Sequence, residues 1–174
     1  MQLYTIGHSN RPLTDFIAML RAHAVGLLVD VRTVPRSRHN PQFNSDALAQ
    51  SLAAEAVDYR HMKALGGLRK ARKDSINAGW RNDSFRGYAD YMQSADFEAA
   101  LNELITQAAV ANTAIMCAEA VPWRCHRSLI ADALTVRGIE VRHIMGGDKW
   151  QLHKLTPFAQ VEDLHITYPF ALEG

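Results

Sequence analysis

The side chains best suited to catalysis are concentrated in two short motifs, Cys117-Ala-Glu119 and Cys125-His-Arg127. Together they supply both cysteines of the chain, a carboxylate, an imidazole and a guanidinium. The apolar residues 113–117 predict a buried strand before the first motif. Residues 127–137, which are followed by the helix-ending Gly138, predict a helix after the second motif. The motifs therefore lie on a strand-to-helix turn, and such turns build the ligand crevice of open α/β sheets.

Polar residues also follow the other predicted strands. They are His8 and Ser9 after the first strand, Asp30 and Arg32 at the end of the second, His61, Gly66 and Gly67 at or after the third, and Gly146, Gly147 and Asp148 after the fifth. Glycines and polar residues mark loops at every sheet edge, but histidine and arginine are not turn formers. Because the carboxyl ends of parallel strands share one edge, we expect these residues to line a common site.

The elements that would position this site alternate between strands and helices. Strands are predicted over residues 3–6, 25–32, 57–62, 113–117 and 139–145. Helices are predicted after Pro12, over residues 45–56 and 88–92, along the stripe Phe97, Leu101, Leu104 and Ala108 with Ser94 or Asp96 as cap, and over residues 127–137. This alternation predicts one α/β domain, residues 1–174, folded as a three-layer sandwich with a mostly parallel sheet of about five strands.

Composition bounds the class of protein. The chain has 174 residues, 48% of them hydrophobic and 21% charged, which is typical of a globular domain. No apolar run is long enough to span a bilayer, and the start lacks the basic and apolar segments of a signal peptide. With only two cysteines, these features lead us to expect a cytoplasmic protein without a structural disulfide or a membrane partner.

The net charge of +1 conceals a basic segment. Between Arg32 and Arg86 the chain has eight arginines and three lysines against five acids, a net charge of +6. Arginine outnumbers lysine fourteen to five overall, and planar guanidinium groups suit phosphate and carboxylate recognition. The segment is either an anion-binding face or a solvated arginine-rich surface, and its sequence does not distinguish the two.

The helix that begins near Cys125 predicts an anion site. The first amides of a helix have no intrahelical partners, and the helix dipole is positive there. The predicted substrate-binding residues are Ser9, Arg32, Gly66, Gly67, His126 and Arg127. The alternative is that Arg127 pairs with Asp30 or Glu119 as a buried structural group.

The predicted catalytic residues are Glu119, His8, His61 and Cys125. Glu119 follows a buried strand near apolar residues, which would raise its pKa and suit it to acid–base catalysis with a histidine. Cys125 is better placed for thiolate chemistry than Cys117, because it lies at a helix start beside His126 and Arg127. The spacing differs from the Cys-x₅-Arg phosphate loop of tyrosine phosphatases, and both cysteines are equally compatible with simple burial.

A metal site is a third interpretation of the same residues. Cys117, Cys125 and His126 are ligands that zinc or iron accepts, so a divalent metal is a candidate cofactor. The spacing Cys-x₇-Cys-His is not a usual zinc pattern, however, and the chain has no Cys-x₂-Cys pair.

Taken together, the motifs resemble a known family. They are Thr5–Ser9, Asp30-Val-Arg32, His61 with Leu65-Gly-Gly67, Cys117-Ala-Glu119, Cys125-His-Arg127 and His153–Phe158. The combination is similar to the bacterial domain-of-unknown-function family 488 and covers essentially the whole chain. The resemblance implies a single cytoplasmic α/β domain with this sheet edge as its site, and the reaction has to be inferred from the residues.

Two main functions remain open. The first is an enzyme acting on a phosphorylated or other anionic substrate, related to nucleotides or nucleic acid, at the carboxyl edge of the sheet. The second is a nucleic-acid-binding module that uses the basic loops 32–43 and 66–86, in which arginines and lysines follow phosphates while Trp80, Phe85 or Tyr88 stacks on a base. A Cys/His metal-binding protein is the further alternative.

Overall fold

Helices and strands alternate along most of the chain in the computed structural model, which describes residues 1–170. The strands are β1 (Gln2–Gly7), β2 (Leu27–Asp30), β3 (Asp58–His61), β4 (Thr113–Cys117), β5 (Glu140–Gly146), β6 (Lys149–Leu152), β7 (Gln160–Glu162) and β8 (His165–Thr167). The helices are α1 (Leu13–Ala22), α2 (Ser45–Ala53), α3 (Asp83–Tyr91), α4 (Ala95–Ala108) and α5 (Arg127–Val136). The last four residues of the predicted domain 1–174 lie outside this description.

A six-stranded sheet in the order β3-β2-β4-β1-β5-β6 forms the centre of the fold. The strands β1 to β5 are parallel, and β6 pairs antiparallel with β5. Helices cover both faces of the sheet. Alternate residues of the strands pack against α1 and α2 on one face and against α3, α4 and α5 on the other. The predicted three-layer α/β sandwich with a mostly parallel sheet is confirmed.

Three features of the fold go beyond the predicted elements. Helix α3 begins at Asp83, earlier than predicted, because the side chain of Asn82 accepts from the amides of Ser84 and Phe85 and caps it. Gly146 ends β5, and Gly147-Asp148 form the turn of the β5–β6 hairpin, with Gly147 at φ +55°; none of these three residues lines the cleft at the ends of β2 and β4. Beyond it, β7 and β8 form a separate two-stranded sheet.

No helix within residues 1–170 has the length and the apolar character that a membrane-spanning segment requires.

The strand order places a topological switch between β1 and β4. These strands are neighbours, but the helix after β1 packs on one face of the sheet and the helix after β4 packs on the other. In many open sheets this divergence leaves a crevice between the two strand ends. Here the gap is bridged by backbone hydrogen bonds from His8 N to Cys117 O (3.0 Å) and from Ser9 N to Ala118 O (2.9 Å).

Gly7 permits the close approach between the end of β1 and the β4–α5 loop, and a substitution at Gly7 tests this contact. A Cβ atom at Gly7 would overlap the backbone carbonyl of Glu119. Because backbone cannot move aside cheaply, we expect Gly7→Ala to lower the free energy of unfolding by about 1–3 kcal/mol or more in urea denaturation. Gly146→Ala is the matched control, since a Cβ there meets nothing within 4 Å. Equal stability of the two variants would contradict the assigned contact.

Candidate active site

A cleft of about 490 Å³ lies at the carboxyl ends of β2 and β4. Its walls are the segment after β2, the start of α3 and the loop between β4 and α5. Among the predicted site residues, those that line it are Arg32, Gly67, Glu119, Cys125 and His126. Cys117 lines it as well. The predicted residues Ser9, His8, His61, Gly66 and Arg127 lie behind this lining rather than on it.

Arg32 is held by a buried carboxylate. Its Nε and Nη2 donate to Oδ1 and Oδ2 of Asp30 at 2.9 and 2.7 Å, and Nη2 also donates to Phe43 O at 2.7 Å. Tyr59 donates to the same carboxylate at 2.5 Å. The charge of Arg32 is therefore compensated within the protein, so this side chain shapes the cleft rather than supplying it with a free positive charge.

The two histidines proposed as catalytic support this ion pair. His8 Nε2 accepts from Arg32 Nη1 at 3.3 Å, its Nδ1 donates to Ser9 O at 2.7 Å, and its ring stacks on Phe43. His61 Nε2 donates to Arg32 O at 2.7 Å. Burial, aided by the charge of Arg32, lowers the pKa of His8 and keeps it neutral. Both rings position Arg32 and its backbone.

The predicted binding glycines make room for other side chains. A Cβ at Gly67 would lie 2.5 Å from His126 Nδ1, and a Cβ at Gly66 would overlap Thr33 Oγ1. Ser9 has a left-handed backbone, with φ at +49°, at the bridge between β1 and the β4–α5 loop. The close packing of Gly67 against the His126 imidazole fixes one wall of the cleft.

Arg127 is the largest fully buried side chain. Its Nη1 donates to Thr5 Oγ1 at 2.9 Å, and its Nη2 donates to the carbonyls of Glu119 and Ala120 at 3.1 and 3.0 Å. Its Nε has no partner, and no carboxylate within residues 1–170 forms an ion pair with it. Arg127 is thus buried and bonded to Glu119, as in the predicted alternative, but through the carbonyl of Glu119 rather than a carboxylate, and Asp30 is occupied by Arg32.

A buried chain of hydrogen bonds continues from Arg127 to the far end of α5. Thr5 Oγ1 contacts His143 Nδ1 at 2.6 Å, and His143 Nε2 contacts His153 Nδ1 at 2.8 Å. His153 Nε2 then contacts Asp132 Oδ1 at 2.7 Å. Donors alternate consistently if both histidines are neutral, because Thr5 donates to His143, His143 to His153, and His153 to Asp132.

Asp132 closes this chain with further donors. Tyr168 OH and Thr156 Oγ1 each donate to Oδ2 at 2.7 Å, and Thr156 N donates to Oδ1 at 3.1 Å. Burial, together with the charge of Arg127, lowers the pKa of His143 to about 3. His143, His153 and Asp132 were not among the predicted site residues. The signals in the sequence were the segments Thr5–Ser9 and His153–Phe158, which belonged to the family motifs but suggested no role for Thr5 or His153.

The two cysteines lie side by side at the bottom of the cleft. Both are free and buried; the Cys117 thiol donates to Glu119 O at 3.5 Å, and the Cys125 Sγ contacts His126 Nδ1 at 3.4 Å. Burial opposes ionisation of Cys117, but the neighbouring Cys125 thiol and the charge of Arg127 outweigh it, so its pKa lies below the ordinary value. Burial and the neighbouring Cys117 raise the pKa of Cys125. The two pKa values therefore shift in opposite directions, whereas the sequence favoured ionisation of Cys125.

The mouth of the cleft carries exposed charges of both signs. Glu119 is exposed, so it lacks the burial on which its predicted role in acid–base catalysis was based. Arg36 and Arg124 are exposed on the lining and form no ion pair with any residue of 1–170. These two guanidinium groups are uncompensated positive charges on the lining that also contains the cysteines.

A metal centre receives no support from the arrangement of donors. Within the described residues, no group of three or more His, Cys, Asp and Glu side chains has the geometry to hold an ion. His126, one of the candidate ligands, uses Nε2 to donate to Val31 O at 2.9 Å.

The buried histidines predict an acid-sensitive fold. Burial lowers the pKa of His126 to about 4 and that of His143 to about 3, so each stays neutral while its unfolded counterpart gains a proton below about pH 6.5. The unfolded state then binds more protons, so stability should fall by about 1.4 kcal/mol per pH unit for each histidine as the pH drops below that value. Urea denaturation between about pH 6.5 and 5, above the main carboxylate range, measures this slope. A flat profile would contradict neutral burial of these rings.

Thr5 allows a separate test of the hydrogen-bond chain. Thr5→Val keeps the shape but leaves Arg127 Nη1 and His143 Nδ1 without their partner, so we expect the free energy of unfolding to fall by at least about 2 kcal/mol. Thr5→Ser, the matched control, keeps the hydroxyl and loses one methyl, at a cost below about 1.5 kcal/mol. If Thr5→Ser is the less stable of the two in urea denaturation, packing rather than hydrogen bonding dominates at this position.

Comparison with known proteins gives a family and no activity. Neither the curated proteins nor the solved structures include a match to the chain. The family model described as "Domain of unknown function DUF488" matches residues 12–134, which include β2, β4, the start of α5 and both cysteine motifs. That span exceeds half of the chain, and the chain therefore belongs to the DUF488 family.

Proposed function

We propose that the protein is an enzyme that acts on an anionic substrate in the cleft, with Cys117 as its nucleophile. The observation that carries this proposal is that Arg127 is fully buried without a carboxylate partner. Its positive charge lowers the pKa of Cys117. A buried guanidinium without a counter-charge is costly. A thiolate at Cys117 would supply that counter-charge, since the nearest carboxylate in the hydrogen-bond chain, Asp132, is separated from Arg127 by Thr5 and two histidines.

Cys125 has two acceptors for its single proton. Its hydrogen bond can therefore move from one to the other when the neighbouring Cys117 changes charge. Cys125 contacts His126 Nδ1 at 3.4 Å, and in this proposal the sulfur of the neighbouring Cys117 is its second acceptor. When Cys117 carries its proton, it donates to Glu119 O at 3.5 Å and Cys125 can donate to His126. When Cys117 is a thiolate, the Cys125 thiol can turn to it. This exchange stabilises the charged form without moving the backbone.

The substrate side of the cleft suits an anion. Arg36 and Arg124 provide uncompensated guanidinium groups at the mouth, and Arg32, held by Asp30, shapes the wall between them and Cys117. His126 and Gly67 complete that wall. A phosphate or carboxylate bound by the two exposed arginines would present a neighbouring electrophilic atom to the Cys117 sulfur.

The proposed reaction is a displacement in two steps. The Cys117 sulfur forms a bond to the electrophilic atom, the bond to the leaving group breaks with its electron pair, and the leaving group takes a proton from solvent through Glu119. Water then attacks the sulfur-bound intermediate, its proton passes to solvent through Glu119, and Cys117 leaves as a thiolate. The net change is hydrolysis of one substrate bond by one water.

Ionisation of Cys117 tests the nucleophile directly. Titration followed by thiolate ultraviolet absorbance should show one transition below the ordinary pKa of cysteine, and Cys117→Ser should abolish it. Cys125→Ala, which removes the hydrogen-bond donor, should raise that pKa more than Cys125→Ser, which keeps a donor. If the low transition survives in Cys117→Ser, the nucleophile is assigned to the wrong residue.

Anion binding is tested by protection of the same sulfur. Inorganic phosphate should slow alkylation of Cys117 by iodoacetamide, and Arg36→Ala with Arg124→Ala should remove that protection. The matched control replaces the exposed Arg38 and Arg81, which do not line the cleft. Equal protection in both double variants would mean that the two cleft arginines do not receive the anion.

A further inference from the structure

A basic groove adjoins the cleft. It has a volume of about 550 Å³ and is lined by Arg69, Lys70, Arg72, Lys73 and Arg86, with Ser84 shared between groove and cleft. The groove and the cleft therefore meet at the start of α3. A ligand that extends across Ser84 could occupy both.

Part of the positive charge in the groove is uncompensated. Arg72 pairs with Asp74 and Arg86 pairs with Asp83, but Lys70 and Lys73 form no ion pair with any residue of 1–170. Arg69 adds a third free charge, because it donates only to backbone carbonyls and lies 3.6 Å over the Tyr91 ring. The groove thus offers several cations on one lining, which suits a ligand with repeated negative charges.

The groove is formed by an ordered loop. The Asp90 carboxylate accepts from Arg72 N at 2.8 Å, from Ser75 Oγ at 2.6 Å and from Asn77 Nδ2 at 2.8 Å. Asn77 is fully buried and accepts from Tyr168 N at 2.9 Å. These bonds fix the loop between β3 and α3, so the backbone that carries the cations is ordered before a ligand binds, and only side-chain ordering remains as a cost.

Apolar surface lies where the groove meets the cleft. Leu68 is 77% exposed on the cleft lining, and the Phe85 ring, partly exposed, lies beside it on the same lining. A ligand made only of phosphates would make no favourable contact with such apolar surface, whereas a nucleic-acid base can pack on it. The cleft volume also lies within the range of about 300–1,000 Å³ typical of pockets for small ligands, so it suits one nucleotide and not a duplex.

We propose that the substrate is a single-stranded nucleic acid whose phosphates lie along the basic groove while the reacting nucleotide enters the cleft at Cys117. This inference rests on the proposed function, because it names the substrate class of the same site. Lys70, Lys73 and Arg69 contact successive phosphates, and Leu68 and Phe85 contact a base. A nucleotide in a duplex would have to leave its stack to reach the cleft, which favours single strands.

The test measures binding of labelled single-stranded DNA and RNA oligonucleotides by fluorescence anisotropy over a range of salt concentrations. Affinity should fall steeply with salt, and Lys70→Gln with Lys73→Gln should reduce the slope of log K against log salt by about 1.4. The matched control, Lys149→Gln with Lys154→Gln, changes exposed lysines outside the groove and should leave the slope unchanged. Bound oligonucleotide should also slow alkylation of Cys117.

The outcomes separate this inference from the proposed function. Equal slopes for the two lysine variants, or oligonucleotide binding without protection of Cys117, would overturn the inference. So would inorganic polyphosphate that binds as tightly as an oligonucleotide of equal charge, because base contacts would then contribute nothing. If nucleoside monophosphates protect Cys117 and oligonucleotides do not bind, the inference fails while the enzyme proposal stands. An ordinary pKa at Cys117 would instead overturn the enzyme proposal, whatever the oligonucleotide result.

Discussion

The buried charge of Arg127 is the constraint on which the rest of the site depends. Its guanidinium ties together three parts of the chain, since it donates to Thr5 on β1 and to two carbonyls of the β4–α5 loop while its own backbone begins α5. Carbonyls and a hydroxyl satisfy hydrogen bonds but do not neutralise charge. The structure therefore keeps a positive potential under Cys117, and the loop takes the conformation that its carbonyls need to reach the guanidinium.

Arg32 shows the opposite arrangement on the other wall of the cleft. It receives a full bidentate carboxylate from Asp30, and His8 and His61 fill positions around it. Such a pair is a structural unit, because its charges cancel and its geometry is fixed from several sides. The contrast between the two arginines concentrates the net positive potential at the cysteines and at the mouth of the cleft rather than along the whole sheet edge.

The architecture could be predicted from the sequence because it depends on hydrophobic patterns that are visible in the sequence itself. Apolar strands alternating with amphipathic helices predicted the parallel sheet, and Ser94 was among the predicted caps of α4, where its hydroxyl accepts from Phe97 N. The antiparallel β6 was missed, although its residues alternate between polar and apolar, because the strand has only four residues and all of them are exposed. Helix α3 was shortened in the prediction because its start is determined by the Asn82 cap inside a basic, irregular segment.

The types of residue in the candidate site could be predicted from the sequence, but the ion pairs that they form could not. Residue types at strand ends indicated which edge to consider, but spacing alone could not decide that Asp30 would bind Arg32 and leave Arg127 without a carboxylate. That outcome depends on β4 lying between β1 and β2, so that Cys117 and Arg127 approach Thr5 while Asp30 faces Arg32 and Tyr59. Side-chain pairing across non-consecutive strands is set by strand order, which local sequence does not encode.

The preference between the two cysteines follows from the same pairing. A helix start beside His126 and Arg127 would normally favour ionisation of the adjacent Cys125. In this fold, however, burial and the neighbouring Cys117 raise the pKa of Cys125, whereas Cys125 and Arg127 lower that of Cys117 against the effect of burial. In the proposed function the negative charge therefore lies at the end of β4, on the lining of the cleft, where Arg127 at the start of α5 stabilises it. The cost of burying the Arg127 charge is, in that proposal, what favours reaction at Cys117 over Cys125.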